Sequence, residues 1–214
     1  MKSLFYLPKT FPNFALATYA ASLDSSLKNC TSILDIGCGS NSPLKFISKK
    51  QIRVGVDGYK PAIDISRKSN IHDEYEILDI RNLLKKFKKN QFDAVIALDV
   101  IEHLKKKEGE KLLKDMEEIA AKKVIILTPN GFVKQYDPIN KLQEHLSGWT
   151  MNDFINRGYK VSGMYGWKPL RGAYANLKFK PKLISGAISE FTHYVYTSRN
   201  PVSSFSLFAV KTLQ

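Results

Sequence analysis

Ser32-Ile33-Leu34-Asp35-Ile36-Gly37-Cys38-Gly39-Ser40-Asn41-Ser42-Pro43 is the stretch that decides the fold. Ile33, Leu34 and Ile36 form a short apolar run suited to the centre of a parallel sheet covered on both faces. Gly37 and Gly39 permit a tight turn and a close approach of backbone to ligand. Ser42 suits an N-cap and Pro43 the first helical position, so the segment reads as strand, glycine turn and capped helix, the helix running to about Lys50. Free N–H groups at such a turn bind the phosphates or ribose of a nucleotide-like ligand.

Downstream, apolar runs alternate with helical segments. Ile52 to Val56 reads as a second strand ending in Asp57-Gly58, with Asp57 placed 22 residues after Asp35. That separation fits one βαβ unit, and an acid at this strand end suits ribose hydroxyls. Asp-Gly is also a common turn dipeptide, but its place at the end of a strand favours the ribose role. Tyr75 to Ile80 reads as a third strand containing Asp79, and Phe92 to Leu98 as a fourth that runs into Asp99 and then Glu102-His103. Leu112, Leu113, Met116 and Ile119 share one helical face, which is core packing. Lys123 to Thr128 gives a fifth strand ending in Pro129-Asn130-Gly131. Thr150 and Asp153 resemble a capping box opening a helix to Arg157, and Tyr159 to Gly163 and Ser203 to Val210 give the last two strands. The expectation is a doubly wound α/β sheet in one domain spanning 1–214, with an N-terminal helical arm over 1–29 and an insertion over 167–201.

A dinucleotide fingerprint wants a third glycine where this chain has Ser42. Asp35-x-Gly37-x-Gly39 instead resembles the D-x-G-x-G motif of class I S-adenosylmethionine-dependent methyltransferases, with Asn41 where that family often has its third glycine. Phe92-Asp93-x-Val95 and Glu102-His103-Leu104 read like the small-molecule, type 11 branch of the family. The resemblance covers about residues 30–165 and 203–211. It implies a seven-stranded sheet of order 3-2-1-4-5-7-6, mostly parallel with an antiparallel last strand. It implies S-adenosyl-L-methionine as cofactor, with Asp35, Ile36, Gly37, Cys38 and Gly39 beside its methionine and ribose portions. Asp57 and Gly58 fall to the ribose, Asp79 and Ile80 to the adenine, and Leu98 and Asp99 to the cofactor's reactive end.

A hydroxyl or amine acceptor needs a general base or an existing anion. His145, on a loop after the fifth strand, and His103, at the helix start, are the candidate catalytic residues. An E-x-x-E-H run supplies metal ligands in related enzymes of quinone biosynthesis and RNA 3′-end methylation. Here the first Glu is Asp99, and similar Glu-His pairs occur in metal-free relatives, so no metal is assigned. No N/D-P-P-Y/F motif follows the fourth strand, which argues against an exocyclic-amine methyltransferase of nucleic acid. The resemblance implies methyl transfer to an oxygen or nitrogen of a small or lipid-like metabolite. The alternatives are an RNA methyltransferase, a cofactor-binding protein without catalysis and, more weakly, a nicotinamide-dependent oxidoreductase.

The chain's 33 Lys and Arg against 20 Asp and Glu give a formal charge of +13. That excess suits an anionic partner or simply solvated lysine faces. From Trp167 to the C-terminus, seven basic residues stand against Glu190 alone. Aromatic residues among them, such as Tyr174, Phe191 and Tyr194, suit a lid over the substrate first, a peripheral membrane contact second and nucleic acid third. The oligomeric state is left open. Cys30 and Cys38 form no disulfide framework and there is no long apolar run, so a reducing cytoplasm is the expected compartment.

Overall fold

A computed structural model describes residues 14–213. Seven strands form one sheet: β1 Ser32–Ile36, β2 Ile52–Asp57, β3 Glu74–Ile77, β4 Phe92–Leu98, β5 Ala120–Pro129, β6 Lys160–Trp167 and β7 Ser204–Thr212. Their order is β3-β2-β1-β4-β5-β7-β6. The five central strands run parallel, and β7 lies antiparallel to both β5 and β6. The order, the parallel core and the reversed last strand all match expectation.

The sheet is buried on both faces because its strands are apolar at successive positions. On one face Leu34, Ile36, Val54, Val56, Val95 and Ala97 pack against Leu112, Leu113, Met116 and Ile119 of α3, Lys106–Ile119. On the other, Ile33, Ala94, Ile96, Ile125 and Leu127 meet Tyr19, Leu23 and Leu27, the last just beyond α1, Phe14–Ser26. Residues 1–13 of the expected N-terminal arm lie outside the described residues, whereas its helical part is present as α1. Of the remaining helices, α2 covers Lys60–Lys68, α4 Met151–Ile155 and α5 Lys182–Thr192.

Two local expectations are corrected. Ser42 and Pro43 do open a helix, but it is a single 3-10 turn, Pro43–Phe46, that ends well short of Lys50. From the next strand, the guanidinium of buried Arg53 donates to the Leu44 and Ser48 carbonyls at 2.8 and 2.9 Å. Each carbonyl also accepts from a following amide, Ile47 N at 3.4 Å and Lys50 N at 3.1 Å, so the guanidinium pins the chain that leaves the turn in extended conformation at Ile47. The third strand stops at Ile77, and Asp79 instead caps a 3-10 segment, Ile80–Lys85, by accepting from the Arg81 amide at 2.9 Å. The capping box of α4 forms as expected, with Thr150 N and Oγ1 donating to Asp153 Oδ2 at 2.7 and 2.8 Å.

Candidate active site

The glycine turn is fixed from below and from the side. Gly37 has φ +65°, and a Cβ there would lie 2.6 Å from Val100 Cγ2, so neither backbone nor space admits a side chain. Gly39 has φ +57°, but the atom nearest its missing Cβ is the Gly37 carbonyl oxygen at 3.9 Å, leaving open space above the turn. Beneath it, Asp35 is buried, and its Oδ2 accepts from Ser42 Oγ at 2.5 Å and pairs with His72 Nε2 at 2.9 Å. Gly55 makes room for this arrangement, because a Cβ there would stand 3.0 Å from Cys38 Sγ and 3.1 Å from the His72 ring. Asp35 therefore secures the turn from underneath. His72, which carries no motif signal, is the partner that sequence reading missed.

Asp57 ties the turn to β2. Its Oδ2 accepts from the Gly39 amide at 2.9 Å and its Oδ1 from the Tyr59 amide at 2.7 Å. Each oxygen keeps a second lone pair for a ligand hydroxyl. Burial raises the Asp57 carboxyl, an effect opposed by those two amides. Asp79 lies at the edge, where Arg81 Nε and Nη2 donate to it, and this bonding holds its carboxyl below the usual range. Ile80 and Leu78 pack half-buried against the core beside it. At the end of β4, Asp99 adopts φ +57°, an uncommon conformation outside glycine, with its amide bound to the Leu127 carbonyl at 2.8 Å. Its surface is open to solvent, yet protein crowds its other sides and raises its carboxyl.

These positions fit S-adenosylmethionine. The open space over Gly39 admits the ligand backbone to backbone, Asp57 retains acceptors for ribose hydroxyls, and the acids suit a ligand bearing an ammonium and a sulfonium charge. The predicted residues of β1, β2 and β4 converge at one end of the sheet, with Asp79 at the rim.

The second half of the site is assembled across a longer reach of chain. Val100, against which Gly37 rests, leads into a turn, Ile101–His103. The loop after β5 folds back onto that turn, where the Glu102 carbonyl accepts from the Leu146 and Ser147 amides at 2.8 and 3.1 Å. His103 and His145 then stand edge to face, ring centres 4.8 Å apart. One ligand atom from each of Glu102, His103 and His145 falls within 4.8 Å of the others. Glu102 is buried and its Oε2 accepts from Thr128 Oγ1 at 2.9 Å. His103 Nδ1 faces the Glu144 carbonyl at 3.1 Å, and His145 Nδ1 faces the Val133 carbonyl at 2.6 Å. A carbonyl only accepts, so both Nδ1 atoms carry the proton and both Nε2 lone pairs are left over. Burial pushes His103 down to about 4 and lowers His145, while burial and the Asp99 charge raise Glu102.

The set therefore consists of two neutral imidazoles and one carboxyl. An imidazole titrating near 4 is a weak base at neutral pH but a good electron-pair donor. No metal was expected from the sequence, and the set that forms differs from the run considered there, since His145 takes part where Asp99 would. Glu102 was legible as a neighbour of His103, whereas Thr128 and the two carbonyls that orient the imidazoles carried no signal.

A family model described as a methyltransferase domain, of the type 11 group, matches residues 34–131. Among curated proteins, none matches. Among solved structures, a SAM-dependent methyltransferase from Archaeoglobus fulgidus is 17% identical, with 92% of this chain and 94% of that one covered and a TM-score of 0.61. The plantazolicin methyltransferase BpumL in complex with SAH is 19% identical, with 92% and 82% covered and a TM-score of 0.54. The methyltransferase domain of bacterial CtHen1 is 20% identical, with 92% and 97% covered and a TM-score of 0.55. These likenesses agree with the sheet order, and the family match spans the glycine turn, Asp57 and the Glu-His turn. Over residues 34–131 the chain carries a methyltransferase domain of the type 11 group, and it has the fold of S-adenosylmethionine-dependent methyltransferases.

Proposed function

We propose that the enzyme methylates an oxygen or nitrogen atom of a small or lipid-like metabolite held against Glu102, His103 and His145. The supporting observation is that Val100 is at once the floor under Gly37 and the start of the turn carrying Glu102 and His103. Cofactor turn and polar set thus share one support. S-adenosylmethionine, when bound, supplies an electrophilic methyl group on sulfur. Gly37 to Gly39 would hold its methionine and ribose portions, Asp57 the ribose hydroxyls, and Asp79 with Ile80 the adenine edge. His145 Nε2 would accept a hydrogen bond from the acceptor's O–H or N–H and so orient its lone pair for in-line attack. The expected test uses methyl-labelled cofactor with fractionated small molecules, lipids and RNA. Label in either of the first two pools supports the reading; label in RNA alone overturns it, and cofactor binding without transfer to any pool favours a non-catalytic binder.

The fixed tautomers favour a second reading, in which the two Nε2 atoms and the Glu102 carboxylate hold a divalent cation. Such an ion would lower the pKa of a bound hydroxyl, a task for which weakly basic imidazoles are poorly suited. Calorimetric titration of the chelator-treated protein with magnesium, manganese and zinc, repeated on His145→Ala, tests it. A binding isotherm in the wild type that disappears in the variant supports the ion. No isotherm with any of the three returns the set to hydrogen bonding alone.

A further inference from the structure

In most surface helices the apolar face turns inward. In α5 and the turn of π-helix that extends it, His193–Thr197, the reverse holds. Leu183, Ile184, Ile188, Phe191, Tyr194 and Val195 are 44–66% exposed. At about 100° per residue they fall within an arc of roughly 140°. The buried positions are Ser185, Ser189, His193 and Thr197. Glycines in β6 receive this polar face. A Cβ on Gly166 would lie 2.0 Å from the Ser189 carbonyl oxygen, and one on Gly163 would lie 2.0 Å from that of Thr197. The helix thus lies close on the strand through its small residues and presents its large ones outward.

The charge around the stripe has one sign. Lys178, Lys180 and Lys182 precede it, Arg199 follows it, and the one acid in the segment, Glu190, is half-buried beside Arg171. A second copy docked face to face would set these cations against their equivalents, and the two rings of the stripe, Phe191 and Tyr194, stand among Leu183, Ile184, Ile188 and Val195, which offer nothing for bases to stack on. An anionic bilayer surface matches both features, since apolar side chains enter the acyl boundary while lysines meet headgroup phosphates. We propose that the outward face of α5 docks the protein onto membranes containing anionic phospholipid. The segment also reaches the acceptor side of the site, because Tyr174 N donates to Gln135 Oε1 at 3.2 Å and the Gln135 carbonyl accepts from His145 N at 3.3 Å. The docked face and the site therefore belong to connected loops.

The experiment is flotation of the full chain with phosphatidylcholine vesicles, with and without phosphatidylglycerol. Binding is expected only with phosphatidylglycerol and is expected to weaken in high salt. The double variant Ile184→Ser, Phe191→Ser should lower the partition coefficient about tenfold or more, as should Lys178→Glu, Lys180→Glu, Lys182→Glu at low salt. Calorimetry with S-adenosylhomocysteine should show unchanged cofactor binding in both variants, which separates this outcome from misfolding and from any failure of the functional reading. Absence of binding to anionic vesicles overturns the proposal, as does binding that the double variant retains in full. A wild-type dimer in light scattering that the double variant converts to monomer overturns it in favour of a second copy.

Discussion

The two ends of the central sheet treat their carboxylates in opposite ways. At the amino end Asp93, half-buried at the start of β4, accepts from Thr31 N at 2.7 Å, Thr31 Oγ1 at 2.8 Å and Lys122 Nζ at 2.9 Å. These partners outweigh its burial and hold its carboxyl below the usual range. Asp73, just before β3, is likewise held down by Lys49 and the Arg53 amide. At the carboxyl end Asp57, Asp99 and Glu102 are raised, mainly by burial. One end satisfies its charges from within; the other keeps poorly compensated charge on the side proposed for the cationic cofactor. Asp79 and Asp35 are exceptions at that end, because Arg81 already partners the first and Ser42 and His72 the second.

Breaking the acceptor half should give the largest effect. His145→Ala is expected to lower turnover by roughly 10²-fold, the scale for a lost positioning contact, with S-adenosylhomocysteine affinity within about twofold in calorimetry. An equal fall in both would make His145 a prop for its loop. Gly37→Ala adds a methyl against Val100 at a left-handed position and should destabilise by about 2–4 kcal/mol in urea denaturation. A change below about 1 kcal/mol would mean that Val100 yields and the turn is less fixed than its contacts imply.

Asp57→Ala should weaken cofactor binding by roughly ten- to a hundredfold, the equivalent of ~1.5–3 kcal/mol for bonds to a charged group. Unchanged affinity in calorimetry would remove the ribose assignment. Its stability should carry the signature of the binding end. A carboxyl raised in the folded state binds more protons folded than unfolded, so its contribution falls as pH rises from the unfolded value near 4 through the folded one. Wild-type stability relative to Asp57→Asn should therefore decline over that window.

The amino end supplies the opposite and smallest case. Asp93 is lowered in the folded state, so its stabilisation is present above the unfolded value near 4 and is lost as pH falls below it. Asp93→Asn should cost about 1 kcal/mol in urea denaturation near pH 7 and nothing near pH 2. A constant difference across that range would show that hydrogen bonding to Thr31, rather than charge, supports Asp93.

What could be read from sequence followed range along the chain. The strand, the glycine turn, the Ser42 cap and the spacing to Asp57 lie within a few residues or one βαβ unit of each other, and local rules govern them. The chain after the Pro43 turn is pinned by Arg53 reaching back from the next strand, and the anchoring of Asp35 depended on His72. Pairing His103 with His145 required the loop after β5 to close 42 residues later, a contact that periodicity does not encode. The outward face of α5 was hidden for a related reason. A stripe of Leu, Ile and Phe at helical spacing reads as core until Gly163 and Gly166 are seen beneath the opposite side.

That inverted packing sets a hierarchy of local opening. Because α5 meets the sheet through serine, threonine and glycine, it removes little apolar surface from water when it folds, unlike α3, whose Leu112, Leu113 and Met116 are fully enclosed. The amides of α5 should therefore exchange with deuterium well before those of α3 and β4, through a partial opening that leaves the rest of the fold intact. Covering the outward face would close that gap, slowing exchange in α5 while leaving the already protected sheet unchanged.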